Sequence, residues 1–233
     1  MNPLNSSNKN LKNYIEKYCS SLLHAYYDQP IMKALLSNIQ GKRVLQIGCK
    51  GGGSFCQWLL KQETTLTICD PSSKIIEFTK KQLGDLATTY TADFSGLFPF
   101  ASDKSFDVIV SSLTLHYISN WLTLFKEIKR IIARGGSIVF SIYHPHTDWN
   151  QQKKKNYFKK DQYADPWFIE ESPYPPSYYH RTLASMFAIF RRTDFRVETL
   201  VEPLPASEAK EYDLETYQKL SKSPHLLFLR LLK

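Results

Sequence analysis

Residues Val44 to Gly53 read VLQIGCKGGG, an apolar run that stops at a cluster of glycines. The residues that follow, 54–60, have a helical pattern. This order predicts a buried strand that turns sharply into a helix. In such a turn, glycine lets the backbone approach a ligand closely, and the start of the helix offers free N–H groups. The stretch therefore predicts a binding site for a nucleotide-like cofactor.

Apolar runs and helical patterns alternate along the rest of the chain. Strands are predicted at 66–69, 88–92, 106–111, 137–143, 195–201 and 226–232. Helices are predicted at 74–82, 121–133 and 181–192. This alternation indicates βαβ units and a parallel sheet, and the nearly continuous apolar runs are typical of strands covered on both faces. The last two strands, joined by a long loop, are expected to pair antiparallel at a sheet edge. The predicted fold class is a doubly wound, Rossmann-like α/β sheet.

Two further segments flank or interrupt this core. Residues 1–40 are predicted to be an N-terminal helical cap, unstructured over 1–10 and broken at Pro30. Residues 41–233 form the main domain, in which residues 144–180 are an aromatic-rich insertion with little periodicity. We interpret the insertion either as a lid over an apolar or aromatic substrate or as a second hydrophobic cluster at the sheet edge.

Composition limits the classes of protein to consider. The 233 residues carry a net charge of +8, and the densest basic cluster, KKKNYFKK, spans Lys153 to Lys160. That cluster is either a solvated loop or a phosphate-binding patch. No apolar run approaches the roughly 20 residues that span a bilayer, and the N-terminus lacks a secretory core, so a cytoplasmic protein is expected. The four cysteines have no metal-ligand spacing; reduced thiols and no metal are expected.

Two carboxylates stand where the predicted strands end. Asp70 follows the second strand about 20 residues beyond the glycine turn, where an acidic residue accepts both hydroxyls of a ribose. Asp93 follows the third strand, where a carboxylate can reach an adenine amino group. Because ligands of open α/β sheets bind at the carboxyl ends of the strands, these residues and the glycine turn together predict an adenosine-containing ligand. NAD and S-adenosylmethionine both fit this pattern.

Four segments, read in order, resemble the class I S-adenosylmethionine-dependent methyltransferases, most closely the UbiE-like small-molecule branch. They are VLQIGCKGGG, TICDPSSKIIEFTKK, TADFSGLFPFASDKSFDVIVSSLTLHYI and LFKEIKRIIARGGSIVFSIYHP. The resemblance implies a seven-stranded sheet in the order 3-2-1-4-5-7-6, with the last strand antiparallel. It also implies an enzyme that transfers a methyl group from S-adenosylmethionine by in-line displacement, with S-adenosylhomocysteine as the product.

The resemblance implies a cofactor-binding set of Gln46, Gly48, Cys49, Gly52, Asp70, Pro71, Ser72, Asp93, Phe94, Ser111 and Ser112. Its implied roles are contact with the methionine moiety (Gly48, Gly52), the ribose (Asp70), the adenine border (Pro71, Ser72), the adenine edge (Asp93, Phe94) and the sulfonium (Ser111, Ser112). The residues that face the substrate are expected to come directly after Ser112 in the sequence.

Two residues depart from the family pattern. Gln46 stands where Asp or Glu is usual, so a charge-assisted hydrogen bond becomes a neutral one. Lys50 stands where the middle glycine is usual, so a positive φ there would be strained and a side chain would crowd the ligand, unless Lys50 points to solvent. We expect weak but real cofactor binding, and we expect Lys50→Gly to tighten it.

Histidines near the predicted strand ends are candidates for the catalytic base. His144 directly follows the fifth strand, and His116 lies just beyond Ser112. His180 and Arg181 either bind an acidic substrate or cap a helix. We expect a small-molecule substrate, aromatic or acidic. An RNA methyltransferase, favoured by the net charge, and a non-catalytic cofactor-binding protein, favoured by Gln46 and Lys50, remain the alternatives.

Overall fold

A computed structural model describes residues 3–93, 97–151, 156–166, 168–169, 172–175 and 177–233. The strands in that part of the chain are β1 (Arg43–Ile47), β2 (Thr65–Asp70), β3 (Ala87–Thr91), β4 (Phe106–Ser111), β5 (Ile132–Tyr143), β6 (Gln162–Ala164), β7 (Ser177–Tyr179), β8 (Arg196–Val201) and β9 (Leu226–Leu232). Seven of them form one sheet in the order β3-β2-β1-β4-β5-β9-β8, and β6 pairs with β7. With that hairpin left out of the count, the order is the predicted 3-2-1-4-5-7-6. The last strand, β9, runs antiparallel to both neighbours, as predicted.

Helices connect the strands and cover the sheet. They are α1 (Pro3–Ser20), α2 (Gln29–Leu35), α3 (Ser54–Lys61), α4 (Ser73–Leu83), α5 (Trp121–Ile131), α6 (Pro145–Gln151), α7 (Leu183–Arg192), α8 (Ala209–Tyr212) and α9 (Leu214–Leu220). Side-chain oxygens of Ser72, Asn120 and Thr182 accept backbone N–H groups three residues on, which fixes the starts of α4, α5 and α7. None of the described helices is long and apolar enough to cross a membrane.

Both faces of the sheet are buried, as the continuous apolar runs predict. Successive side chains of a strand point to opposite faces. On β1, Val44 packs in a cluster built with α1, α2, α3 and α4, whereas Leu45 packs in a second cluster with α5 and α7. The carboxyl ends of β1, β2 and β4 therefore meet at one edge, between the two layers of helices.

Four features differ from the predictions. Pro30, predicted to break the N-terminal helix, lies in the first turn of α2, which follows the π-helical segment Leu23–Asp28 without interruption. Residues 3–10, predicted to be unstructured, begin α1, and further along that helix Leu11, Tyr14 and Ile15 are buried in the core. Helix α5 ends earlier and β5 starts earlier than predicted, because Ile132 already pairs with Phe106 of β4. The loop 202–225 contains two short helices, α8 and α9.

The described residues of the insertion 144–180 fold over the carboxyl end of the sheet. The insertion contributes α6 and the β6–β7 hairpin, and its Tyr163, Tyr174 and Tyr178 are buried. Lys153–Lys155 of the basic cluster and Trp167 lie outside the described residues. The division into a cap of residues 1–40 and a domain of residues 41–233 stays a prediction.

Candidate functional site

The glycine turn after β1 forms the predicted tight connection to α3. Gly48 has φ 78° and donates its N–H to the carbonyl of Cys69 at 2.8 Å, and Gly52 has φ 72°. A Cβ added to Gly48 would lie 2.3 Å from the Thr114 Oγ1 atom. Gly53 precedes α3 with no side chain capping the helix. The turn thus needs glycine both for its backbone conformation and for close packing on the loop after β4.

We predict that Gly48→Ala lowers the free energy of unfolding by about 3 kcal/mol, because about 1–2 kcal/mol of left-handed strain adds to about 1–3 kcal/mol of overpacking against Thr114. Gly135→Ala is the matched control, since Gly135 has φ 73° and open space within 4 Å of an added Cβ. Denaturant unfolding measures both. Equal losses for the two variants would show that the packing on Thr114 is unimportant.

Asp70 ends β2 with its carboxylate fully buried and already bonded. It accepts the N–H of Cys49 at 3.1 Å, the N–H of Ser72 at 3.0 Å and the hydroxyl of Tyr174 at 2.5 Å. Burial raises the pKa of Asp70, and these donors oppose that shift. The Tyr174 phenol donates the same kind of bond that a ribose hydroxyl would donate. Asp70 is therefore a suitable ribose acceptor, but the chain's own tyrosine bonds to it.

Lys50 points into the protein, so the alternative of a solvent-facing side chain is wrong. The residue is buried and has a left-handed φ of 46°. Its Nζ donates to the Leu113 carbonyl at 3.1 Å and lies 4.4, 5.6 and 5.1 Å from the ring centroids of Tyr18, Tyr117 and Tyr174, which we call the tyrosine cage. Burial lowers the pKa of Lys50 to about 8, whereas nearby Asp165, Asp70 and Asp28 oppose the shift.

Gln46 uses both ends of its amide within the protein. Its Nε2 donates to the Gly48 carbonyl at 3.2 Å, and its Oε1 lies 3.1 Å from the Cys56 Sγ atom as an acceptor. A neutral amide can make both bonds, whereas a carboxylate has no donor for the Gly48 carbonyl. Gln46 therefore braces the glycine turn.

Two cavities meet at this edge of the sheet. A crevice of about 20 Å³ lies between Gln46, Gly48 and Ser112. A larger cavity of about 230 Å³, the tyrosine cavity, is lined by Tyr14, Lys17, Tyr18, Ser21, Leu23, Lys50, Leu113, Tyr117, Tyr143, Asp165, Phe168, Ile169 and Ser172. Tyr18 and Lys50 line both cavities and so form the wall between them.

The donor and acceptor set fits S-adenosylmethionine, but the space beside it is filled. The crevice holds about one water molecule, since a water needs roughly 10–15 Å³ of such volume. Lys50 lies beside the glycine turn, and Tyr174 bonds to the ribose acceptor Asp70. Both side chains therefore lie at the edge of the sheet where the cofactor is predicted to bind.

The other described members of the predicted cofactor set lie around the same edge. Ser111 donates its hydroxyl to the Ile47 carbonyl at 2.9 Å, and Ser112 donates to Asp28 Oδ2 at 2.6 Å. Pro71 and Asp93 are exposed just after β2 and β3. Phe94 lies outside the described residues. Their contacts with a cofactor stay predictions.

The two candidate histidines do not line the tyrosine cavity. His144 contacts Glu202 Oε1 through Nε2 at 2.6 Å, and its Nδ1 accepts the N–H of His146 at 3.3 Å. The His116 ring stacks 4.3 Å from Tyr143, and neither of its nitrogens has a partner among the described residues. Burial lowers the pKa of both histidines, so both are neutral at neutral pH.

Sequence reasoning missed two buried carboxylates at this edge. Asp165 accepts the hydroxyls of Tyr117 and, at 2.8 Å, Tyr143, and it lines the tyrosine cavity. Asp28 accepts the hydroxyls of Ser112 and Ser141 beneath it. Neither lies at a predicted strand end, so no signal in the sequence marked them.

Comparisons with known proteins agree with the fold. Residues 45–140 match the family model described as a methyltransferase domain. The crystal structure of an S-adenosylmethionine dependent methyltransferase from Mesorhizobium loti superposes with a TM-score of 0.76 at 23% identity, over 92% of this chain and 99% of that one. At that identity the match establishes the fold.

Two relatives in sequence differ in how much they share with the chain. An uncharacterized protein of Haemophilus influenzae is 28% identical over 89% of this chain and 87% of its own length. A malonyl-[acyl-carrier protein] O-methyltransferase of Paenibacillus sp. is 31% identical over 47% of this chain. That match spans 43% of the Paenibacillus protein, less than half its length.

Proposed function

We propose that this chain, which carries a methyltransferase domain of the class I S-adenosylmethionine-dependent fold, transfers a methyl group from S-adenosylmethionine to a small molecule. The predicted family resemblance, enzyme class and cofactor are confirmed by the domain match and the fold. The acceptor molecule, its binding site and the catalytic residues are the proposal.

The tyrosine cavity is the observation that carries the small-molecule assignment. This cavity of about 230 Å³ lies against Lys50 of the glycine turn, and residues of α1 and the insertion enclose it. An enclosed site lined by aromatic rings and a few polar groups is typical of small-molecule binding. We infer that it takes an acceptor with an apolar or aromatic body and that it favours such a molecule over RNA.

The insertion of residues 144–180 then acts as a lid in this proposal. Its Tyr174 bonds to Asp70, and its Asp165 and Phe168 line the tyrosine cavity. Tyr174 has to leave Asp70 before a ribose binds there, and the segment that carries it then closes over the acceptor and excludes water.

The residues around the cavity have a defined chemical task. When bound, S-adenosylmethionine supplies an electrophilic methyl group on its sulfonium, so the protein mainly has to align the acceptor and exclude water. A hydroxyl or ammonium acceptor must also lose a proton. We infer that Asp165 takes this proton, through the hydroxyl of Tyr117 or Tyr143. His116 and His144 remain the alternative bases.

A carboxylate acceptor is a second candidate. The matched Paenibacillus relative is named for methylation of malonyl-[acyl-carrier protein]. Lys17 lines the tyrosine cavity and offers a cation for such a group. A carboxylate needs no proton removed, so the role of Asp165 distinguishes the two acceptor classes.

We predict that Asp165→Asn lowers kcat about a hundredfold for a hydroxyl or ammonium acceptor, the usual size of general base catalysis. His144→Gln and His116→Gln are the comparison variants, with expected losses below about threefold. A larger loss of kcat in one of the histidine variants than in Asp165→Asn would assign the base to that histidine. An unaltered kcat in all three variants would favour a carboxylate acceptor.

Transfer of a labelled methyl group into a cell extract tests the function itself. The extract is separated into small molecules, RNA and protein after incubation with the full chain and labelled S-adenosylmethionine. Label in the small-molecule fraction is the expected result, and label in RNA would contradict the proposal. Cofactor binding without label in any fraction would favour a non-catalytic binding protein.

A further inference from the structure

A second cavity, of about 260 Å³, lies between the starts of α5 and α7 and the chain after α6. Trp121, Phe158 and Ile189 form its apolar walls, and Lys160, Arg181 and Arg192 are cations on its lining. The two helices present Leu122 and Ser185 of their first turns to it. This cavity, the α7 cavity, shares no described lining residue with the tyrosine cavity.

Arg181 is a buried cation held by neutral groups alone among the described residues. Its guanidinium donates to the carbonyls of Tyr179 at 3.2 Å, Ile118, and Ser119 at 2.9 Å, and its Cζ atom lies 4.7 Å from the Trp121 ring centroid. These three bonds leave two of the five N–H donors of a guanidinium for another acceptor. Burial lowers the pKa of Arg181 to about 10.

Lys160 brings a second positive charge to the same point. Its Nζ donates at 3.3 Å to the Ser119 carbonyl, the oxygen that also accepts from Arg181. Because the exposed Lys160 and the buried Arg181 donate to one carbonyl, an anion bound beside them would interact with both charges. His180 also lines the α7 cavity. Burial lowers the pKa of its imidazole, and the nearby carboxylate of Asp161 opposes that shift.

We propose that the α7 cavity binds the phosphoryl group of a small phosphorylated molecule. The planar Arg181 guanidinium and the Lys160 ammonium supply two positive charges for a dianion, and the positive ends of the α5 and α7 helix dipoles add to them. The rings of Trp121 and Phe158 and the Ile189 side chain contact the organic part of the ligand. This site is separate from the methyl-transfer site proposed above.

Calorimetric titration of phenyl phosphate into the full chain at constant ionic strength tests this site. We expect saturable binding, weakened at least about tenfold by Lys160→Gln, which removes one charge-assisted bond. Lys126→Gln is the matched control, because Lys126 is exposed on α5 and does not line the cavity. Arg181→Lys keeps the positive charge but loses the planar guanidinium with its paired N–H donors, so it should weaken binding as well.

Three results would overturn the proposal. They are no saturable binding of phenyl phosphate, equal effects of Lys160→Gln and Lys126→Gln, and equally tight binding of benzoate, which has a similar shape but a single charge. Tighter binding of inorganic phosphate than of phenyl phosphate would also contradict a site for an organic phosphate. Should Arg181→Lys fail to fold, Lys160→Gln decides. All titrations omit S-adenosylmethionine, so a negative result leaves the methyl-transfer proposal untouched.

Discussion

Asp70→Asn should bind S-adenosylhomocysteine about a hundredfold more weakly than the wild type, as measured by calorimetry. Asp70 is the buried acceptor at the end of β2. We propose that its carboxylate accepts the two ribose hydroxyls. Hydrogen bonds to a charged acceptor contribute about 1.5–3 kcal/mol, against about 0.5–1.5 kcal/mol for neutral pairs. Loss of the charge at two such bonds corresponds to about a hundredfold in Kd.

The control for Asp70→Asn is Asp85→Asn, which changes an exposed aspartate beyond α4. Both variants should keep the melting temperature and circular dichroism spectrum of a folded protein. An Asp70→Asn protein that is folded and binds within about threefold of wild type would show that the ribose does not lie on Asp70.

Lys50→Gly should bind S-adenosylhomocysteine at least about tenfold more tightly than wild type. In the wild type, Lys50 donates to Leu113 and lies in the tyrosine cage. We propose that the cofactor has to expel it from both. Cation–π contacts contribute about 2 kcal/mol when desolvated. Glycine removes this cost and joins the crevice to the tyrosine cavity, because Lys50 is part of the wall between them.

Lys104→Gly is the matched control for Lys50→Gly. Lys104 is also a lysine with positive φ, 56°, and it is exposed. Glycine at position 104 relieves the same kind of backbone strain as glycine at position 50, but it opens no space at the site. Tighter binding in both variants, or in neither, would contradict the proposed obstruction by Lys50.

Much of this fold is predictable from sequence because the strands are buried on both faces. The apolar runs that end at Ile47, Asp70 and Ser111 predicted β1, β2 and β4, since parallel strands covered on both sides need continuous apolar sequence. Glycine at positions 48 and 52 predicted the turn, because glycine adopts a positive φ easily, and both residues have a positive φ in the structure. The predicted strand order followed from the family resemblance.

The side chains that occupy the candidate site were not predictable from sequence, because tertiary contacts determine where those side chains point. The sequence showed that Lys50 interrupts the glycines, but not that its side chain enters a cage built from α1, the loop after β4 and the insertion. Tyr174 and Asp165 lie in a segment without periodicity, so nothing local fixed their positions at the carboxyl edge of the sheet.

The expulsion of Lys50 is tested most directly by the Kd of S-adenosylhomocysteine at pH 7 and pH 9, in wild type and in Lys50→Met. Burial lowers the pKa of Lys50 to about 8. Release into water restores a pKa of about 10.4. Binding therefore takes up a proton between these values, and affinity falls as pH rises above 8. We predict that the wild-type Kd, divided by that of Lys50→Met, rises about tenfold from pH 7 to pH 9, since the ligand's own titration cancels. An unchanged ratio would contradict the expulsion of Lys50 by the cofactor.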